Sequence, residues 1–400
     1  MERFILTEKE QQVFKLCSAL LNKEHGIMNF EEIVDDIGLS RTTINYAILK
    51  LRDILNLVVG EEGYSLYKTT DKVYLELNQS ISFQILKNAY IADSFFLHFF
   101  QEVYHERFSN LMKETEAKFM SYETGKKELV KCREYLQHFS LQLCTKKKAS
   151  KMISGEEKQI RFMFFCMVLS QFQCKYIDFF ETENSQLNLF LDSVLEEFPY
   201  IFQSSNLKIK IFYRIVLDRI KKGHLLPDDI VFPNHFECPV LPLTVFTQKV
   251  ELLFLDIDLT AQQKNREIDF LYFLFCTLIY QPANTLGPTN CQTKECQLFI
   301  DTIEKVGGMT LTAIEKRFIC YAHKQCIVWH QMFHVSFCFR HLMTEQERFI
   351  EKKSEYIFLW HRMVDRLQET PVYRELFLQH PNMPFFLQRI LNSVFFSREI

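Results

Sequence analysis

The stretch Phe30-Glu-Glu-Ile-Val-Asp-Asp-Ile-Gly-Leu-Ser-Arg-Thr-Thr-Ile-Asn-Tyr-Ala-Ile-Leu-Lys-Leu51 decides the reading of this chain. Ile33, Val34 and Ile37 predict the inward face of a short helix from Asn29 to about Ile37. Gly38 permits the left-handed backbone of a sharp turn. Leu39 then fills the angle between two helices, and Ser40 caps a helix running to about Leu55. Ile44, Ala47, Ile48 and Leu51 recur at helical spacing and face the core. This is a helix-turn-helix pattern.

The remaining positions of the second helix point away from that core: Arg41, Thr42, Thr43, Asn45, Tyr46 and Lys50. Polar and basic side chains at the start of such a helix suit a DNA major groove, where base edges present donors and acceptors. Arg41, Thr43, Asn45 and Tyr46 are the candidates for bases, and Thr42 and Lys50 for phosphate. The competing reading is a protein-docking scaffold, and Glu31, Glu32, Asp35 and Asp36 add weight to it by making the supporting helix acidic.

Working outward, Thr7 and Glu10 form a capping box for a helix over Thr7–Asn22, with Val13, Leu16, Cys17 and Leu20 as its apolar stripe. After the helix-turn-helix, Leu57–Val59 and Tyr64–Tyr67 read as two strands around Gly60-Glu61-Glu62-Gly63, with Val73–Leu77 as a third. Residues 1–78 are therefore expected to form a winged helix-turn-helix.

The rest of the 400 residues reads as helix. Only 10 Gly and 10 Pro occur, too few for a loop-rich enzyme or an all-β protein, and 40 Phe supply helix contacts. The apolar runs Phe162–Leu169 and Phe270–Tyr280 fall short of the ~20 residues a membrane span needs, so no membrane association is expected. Met1–Ala19 is too charged for a signal peptide. Twelve cysteines without a C-x-x-C pair point to reduced, buried thiols in a cytoplasm, and Cys291 with Cys296 gives no zinc framework. No Gly-rich phosphate loop, nucleophile elbow or triad pattern occurs, so neither an enzyme nor a cofactor is expected.

The net charge is −3, so a nucleic-acid surface must be local. One candidate lies at Phe108–Leu136. Phe108, Leu111 and Met112 predict a supporting helix, Ser121 a cap, and Leu129, Cys132, Tyr135 and Leu136 the inward face of a second helix. Lys126, Lys127, Lys131 and Arg133 fall on its other faces. Between Ser109 and Lys151 ten Lys and Arg stand against five Asp and Glu, the last four being Lys146, Lys147, Lys148 and Lys151. Gly125 speaks against this helix, because an interior glycine costs about 1 kcal/mol.

These pieces together resemble the Mga/AtxA family of Gram-positive virulence regulators. Met120-Ser-Tyr-Glu-Thr-Gly-Lys-Lys-Glu-Leu-Val-Lys-Cys-Arg-Glu-Tyr-Leu136 resembles the recognition helix of that family's second helix-turn-helix. Ile153-Ser-Gly-Glu-Glu-Lys-Gln-Ile-Arg-Phe162 resembles its join into the regulatory domains. The resemblance implies two DNA-binding modules, two helical phosphotransferase-regulation (PRD-like) domains and an EIIB-like domain, in a homodimeric transcription activator that in some members is tuned by histidine phosphorylation. Two departures stand out. Ending at Ile400, the chain is short for an EIIB-like domain. No histidine lies between Gly155 and Gly223, and His224 and His235 come late for a phosphoacceptor of the first regulatory domain.

The expected architecture is mainly α with a small β wing: a winged helix-turn-helix over 1–78, a second helix-turn-helix over 79–153, helical regulatory domains over 154–243 and 244–370, and a helical tail over 371–400. In the second regulatory domain Cys320, His323, Ile327, His330, His334, Cys338 and His341 share one helix face. Three readings compete for it: an ordinary solvated or interface face, a phosphoacceptor or pH-sensitive site at His323, His330 or His334, and a metal site. The expected function is sequence-specific binding of double-stranded DNA as a homodimer. The alternative is a protein-docking module sensing a phosphotransferase-system phosphocarrier without reading DNA. An RNA-binding antiterminator fits less well, because such proteins bind RNA through a β-rich module.

Overall fold

The structure, a computed structural model, describes residues 5–78, 83–144, 152–171, 179–181, 183–197, 203–232, 241–278, 293–334 and 354–380, and single residues between 383 and 391. It is mainly α. Two compact units divide the chain. One comprises Met1–Leu136, Leu143–Met152 and Ser170–Glu181, and the other Gln137–Gln142, Ile153–Leu169 and Thr182–Ile400.

The first unit begins with α1 (Glu8–Asn22), capped as its sequence dictates: the Glu10 amide donates to Thr7 Oγ1 at 3.3 Å and the Thr7 amide to Glu10 Oε2 at 2.7 Å. Val13, Leu16, Cys17 and Leu20 are all buried. After β1 (Ile27–Asn29) come α2 (Phe30–Ile37) and α3 (Arg41–Val59). Gly38 between them has φ 73°, Leu39 is buried, and the Thr43 amide donates to Ser40 Oγ at 3.2 Å. In α2 only Phe30 and Ile33 are buried. Val34 is exposed and Ile37 half-buried, because a helix of two turns offers one narrow face to the core.

The wing differs from expectation. Leu57–Val59 are not a strand: they extend α3 by a turn, continuing the buried run Ile44, Ala47, Ile48, Leu51, Ile54 and Leu55 until Gly60 stops the helix at φ 75°. The wing is β2 (Tyr64–Lys68) paired antiparallel with β3 (Lys72–Leu77), with Tyr64 opposite Leu77 and Lys68 opposite Val73. Its turn is Thr69-Thr70-Asp71, closed by the Thr69 amide on the Lys72 carbonyl at 2.9 Å. Tyr67 and Tyr74 stack across the pair at 4.6 Å. β1 adds a third strand on the other side of β3.

Behind the wing lie α4 (Phe83–Ala92), α5 (Phe95–Tyr104), α6 (Leu111–Ala117) and α7 (Tyr122–Gln137). Phe96 and Phe100 of α5 pack edge-on to Tyr135 of α7 at 5.3 and 5.7 Å. Leu129, Cys132, Tyr135 and Leu136 face inward as expected. Met112 does not. It is 62% exposed, and Glu114 and Thr115 take the buried face of α6 instead, where Glu114 Oε2 meets His98 Nε2 at 3.0 Å. Gly125 is buried at the crossing of α6 and α7. A Cβ there would lie 2.1 Å from Thr115 Cγ2, so the glycine that weakens the isolated helix is what lets the two helices meet.

The second unit is helical: α8 (Glu157–Gln171), α9 (Ser185–Glu197), α10 (Gln203–Lys221), α11 (Leu243–Val250), α12 (Ala261–Leu278), α13 (Lys294–Gly307), α14 (Ala313–Met332), α15 (Ser354–Gln368) and α16 (Pro371–Gln379). Phe162–Leu169 and Phe270–Cys276 are buried without a break. Phe165 stacks on Phe212 at 4.4 Å, and Phe162 meets Trp329 edge-on at 5.5 Å, joining α8, α10 and α14. Among the described residues no helix is long and apolar enough to cross a membrane.

Candidate nucleic-acid interface

α3 presents its polar side chains from a capped start. Arg41, Thr42, Asn45, Tyr46 and Lys50 are exposed together on one side of the helix. Thr43 is half-buried, with Oγ1 2.8 Å from Ser40 Oγ, so its hydroxyl is engaged in the cap. Lys50 pairs with Asp53 at 3.2 Å, and Lys9 stands 5.4 Å from the Tyr46 ring centre. Lys68 Nζ donates to Asn45 Oδ1 at 2.5 Å and ties the wing to the helix. Lys68 and Lys72 flank the wing turn. Sequence reasoning missed both, having put the turn at Gly60–Gly63. The signal was there in Lys68-Thr-Thr-Asp-Lys72, a polar cluster between two alternating apolar runs. The acid of α2 is partly compensated, since Lys23 lies 3.9 Å from Glu32 and 3.8 Å from Asp36.

The second helix-turn-helix is built alike. Asn110 caps α6 through the Lys113 amide at 3.0 Å, and Ser121 caps α7 through the Thr124 amide at 3.1 Å. Lys126 and Lys127 are exposed, and Lys131 is half-buried. Lys126 meets Glu123 at 2.9 Å and sits 4.7 Å from the Tyr122 ring centre; the bond to Glu123 raises its pKa. Lys131 meets Glu128 at 2.6 Å. The Lys126–Glu123 pair is exposed and worth little to folding, whereas the Lys131–Glu128 pair is partly buried. Lys146, Lys147, Lys148 and Lys151 lie outside the described residues. In the turn, Phe119 is 100% exposed and holds φ 50°, a place sequence reasoning did not single out.

The histidine face divides. His323 is buried, with Nε2 2.7 Å from the Tyr373 hydroxyl, and burial pushes its pKa down to about 4. His330 is buried, with Nδ1 2.7 Å from the Cys326 carbonyl oxygen, and burial again brings its pKa to about 4. His334 is exposed. Cys338 and His341 lie outside the described residues. Among the described residues no group of three or more His, Cys, Asp or Glu side chains is arranged to hold a metal.

A second buried cluster in this unit escaped the sequence altogether. Arg161 forks onto Glu267 at 2.6 and 3.0 Å, donates Nε to Glu157 at 3.1 Å and reaches the His224 carbonyl at 2.8 Å. Arg219 forks onto Glu157 at 2.8 and 2.6 Å. Burial disfavours the Arg161 charge, but Glu267 and Glu157 outweigh it and raise its pKa. Burial likewise opposes the Glu157 charge, which Arg219 and Arg161 restore, leaving that carboxyl below its usual range. The cluster ties α8, α10 and α12 together and is structural.

Two capped helix-turn-helix units in one chain, the first carrying a wing, define a DNA-binding regulator. Residues 77–167, which include the second helix-turn-helix, match the Mga helix-turn-helix domain, and in this part the chain is Mga-like. No curated protein matches the chain.

Proposed function

We propose that this protein is a sequence-specific transcription activator of the Mga/AtxA type, working in the cytoplasm as a homodimer. The observation that carries the reading is the pair of capped helices, α3 and α7, each with exposed polar or basic side chains at its start and the second within the Mga match. Arg41, Asn45 and Tyr46 meet base edges in this reading, with Thr43 beside them offering its methyl group because its hydroxyl is held in the cap, while Thr42 and Lys50 meet phosphates. Lys126, Lys127 and Lys131 hold the DNA backbone at the second helix-turn-helix. Residues 1–78 and 79–153 bind DNA, 154–243 and 244–370 regulate, and 371–400 form the tail. A phosphotransferase-system phosphocarrier acts on the regulatory part, and His334 is the acceptor of choice, because its exposed ring is open to a partner while those of His323 and His330 are enclosed. The chemistry is recognition, not catalysis.

The test is binding to fragments of the protein's own upstream DNA at two salt concentrations, for wild type and an Arg41→Ala/Asn45→Ala double variant. Selective binding lost in the variant establishes sequence reading by the first helix-turn-helix. A Lys126→Ala/Lys127→Ala variant is expected to weaken binding to all fragments and flatten the salt dependence by about two phosphate contacts. Absence of binding by wild type at both salt concentrations favours the docking module instead.

A further inference from the structure

The core of α13, α14, α15 and α16 contains two cysteines set against each other. Cys296 sits in the first turn of α13 and Cys320 in the second turn of α14, and their sulfurs are 3.0 Å apart, both as thiols. That is about 1 Å more than the ~2.05 Å of a disulfide bond, so the two sulfurs already stand within reach of each other. An independent feature holds the sulfurs in register. The Tyr373 hydroxyl of α16 donates to the Glu295 carbonyl at 2.8 Å and contacts His323 Nε2 at 2.7 Å. Glu295 adjoins Cys296, and His323 lies one helical turn beyond Cys320. One phenol therefore fastens both helices beside the two sulfurs.

The geometry points to a modification site: Cys296 and Cys320 form a dithiol that closes to an intramolecular disulfide on exposure to a peroxide. The Cys320 thiolate attacks one peroxide oxygen, the O–O bond breaks, and hydroxide leaves, giving a sulfenic acid at Cys320. The Cys296 sulfur then displaces that hydroxyl, which departs as water with the Cys296 proton. Two thiols and one hydrogen peroxide yield one disulfide and two waters. Cys320 is the attacking sulfur. The Cys296 S–H donates to it and lowers its pKa, whereas burial pushes Cys17 up to about 12 and Cys132 and Cys166 well above the usual thiol value. Cys320 is 7% exposed and Cys296 2%, which admits a small oxidant and disfavours a bulky one.

Trypsin makes the test clean, because Glu295–Lys305 and Phe318–Lys324 each carry a single cysteine. The full-length protein is titrated with hydrogen peroxide, alkylated under denaturing conditions and digested. The expected product is one cross-link joining these two peptides within a single chain, reversed by dithiothreitol, with a rise in Tm of about 5 °C or more from the closed loop. Cys296→Ser should leave Cys320 as a sulfenic acid that dimedone traps when the oxidised chain is unfolded in its presence. Tyr373→Phe should slow closure severalfold while keeping both thiols. Recovery of both peptides singly alkylated after peroxide, linkage of Cys320 to any other cysteine, or linkage between isotopically distinct chains would overturn the assignment.

Discussion

Arg161 and Glu267, 106 residues apart in sequence, meet through two parallel hydrogen bonds of 2.6 and 3.0 Å where Arg161 has 0% exposure. The Leu226 amide also donates to Glu267, at 3.0 Å. Such a pair adds little net stability over an apolar replacement, but losing one member strands the other charge in the core. Arg161→Met is therefore expected to cost about 3–5 kcal/mol, while Arg161→Met/Glu267→Gln recovers a good part of it. The readout is convenient: the two tryptophans, Trp329 and Trp360, both lie buried in the second unit, so urea unfolding followed by their fluorescence reports that unit alone. Equal loss in the single and double variants would show that the ion pair is not what the core depends on.

The same fluorescence reads a pH effect. His323 and His330 are held neutral, with folded pKa values of about 4 against an ordinary value of 6.5. The unfolded chain binds more protons between those values, so stability is fully present above pH 6.5 and falls as pH drops toward 4. The loss is on the order of 3 kcal/mol per ring across that window. His323→Gln keeps a donor for the Tyr373 hydroxyl and removes the titration, so its stability profile should be flatter by one proton. An unchanged slope would mean that His323 titrates alike in both states.

Gly125 gives a prediction of opposite sign to its helix propensity. On an open helix Gly→Ala gains about 1 kcal/mol. Here the added Cβ meets Thr115 Cγ2 at 2.1 Å and Leu111 Cδ1 at 3.3 Å, and overpacking of this kind costs about 1–3 kcal/mol. Gly125→Ala should thus destabilise the crossing of α6 and α7. Thr115→Ser removes that methyl and keeps the hydroxyl on the Met112 carbonyl, so the double variant should regain most of the loss. Hydrogen exchange of the α7 amides measures both.

What was legible in the sequence was local. Thr7 with Glu10, Gly38 in its turn and Ser40 at its cap act over three or four residues, and the residues at those positions do what their chemistry dictates. The error at Leu57–Val59 is local as well. Two β-branched valines before a glycine read as a strand, but the buried stripe of α3 ran on to Leu55 and carried the helix to Gly60. The spacing of the histidines placed His323 and His330 on one face but said nothing of what covers it, because Tyr373 and His380 come from fifty residues further on. Arg161 and Glu267 belong to the same class. An arginine four residues after a glutamate looks like a solvated helix pair until the third helix arrives.

Phe119 supplies the last prediction, because its backbone conformation disfavours it where it stands. Its side chain is 100% exposed, and its backbone sits at φ 50°, a conformation that costs a non-glycine residue about 1 kcal/mol. Phe119→Gly removes that strain and should stabilise the first unit by about 1 kcal/mol, as protection of the α6 and α7 amides will show. An aromatic kept at such a cost in the turn leading into α7, three residues before Tyr122, is placed to touch whatever α7 meets. The variant should accordingly bind DNA more weakly although it folds more tightly. Affinity measured at one fixed salt concentration decides the matter: unchanged binding in the stabilised variant would show that Phe119 takes no part in the interface and that the turn tolerates its strain for another reason.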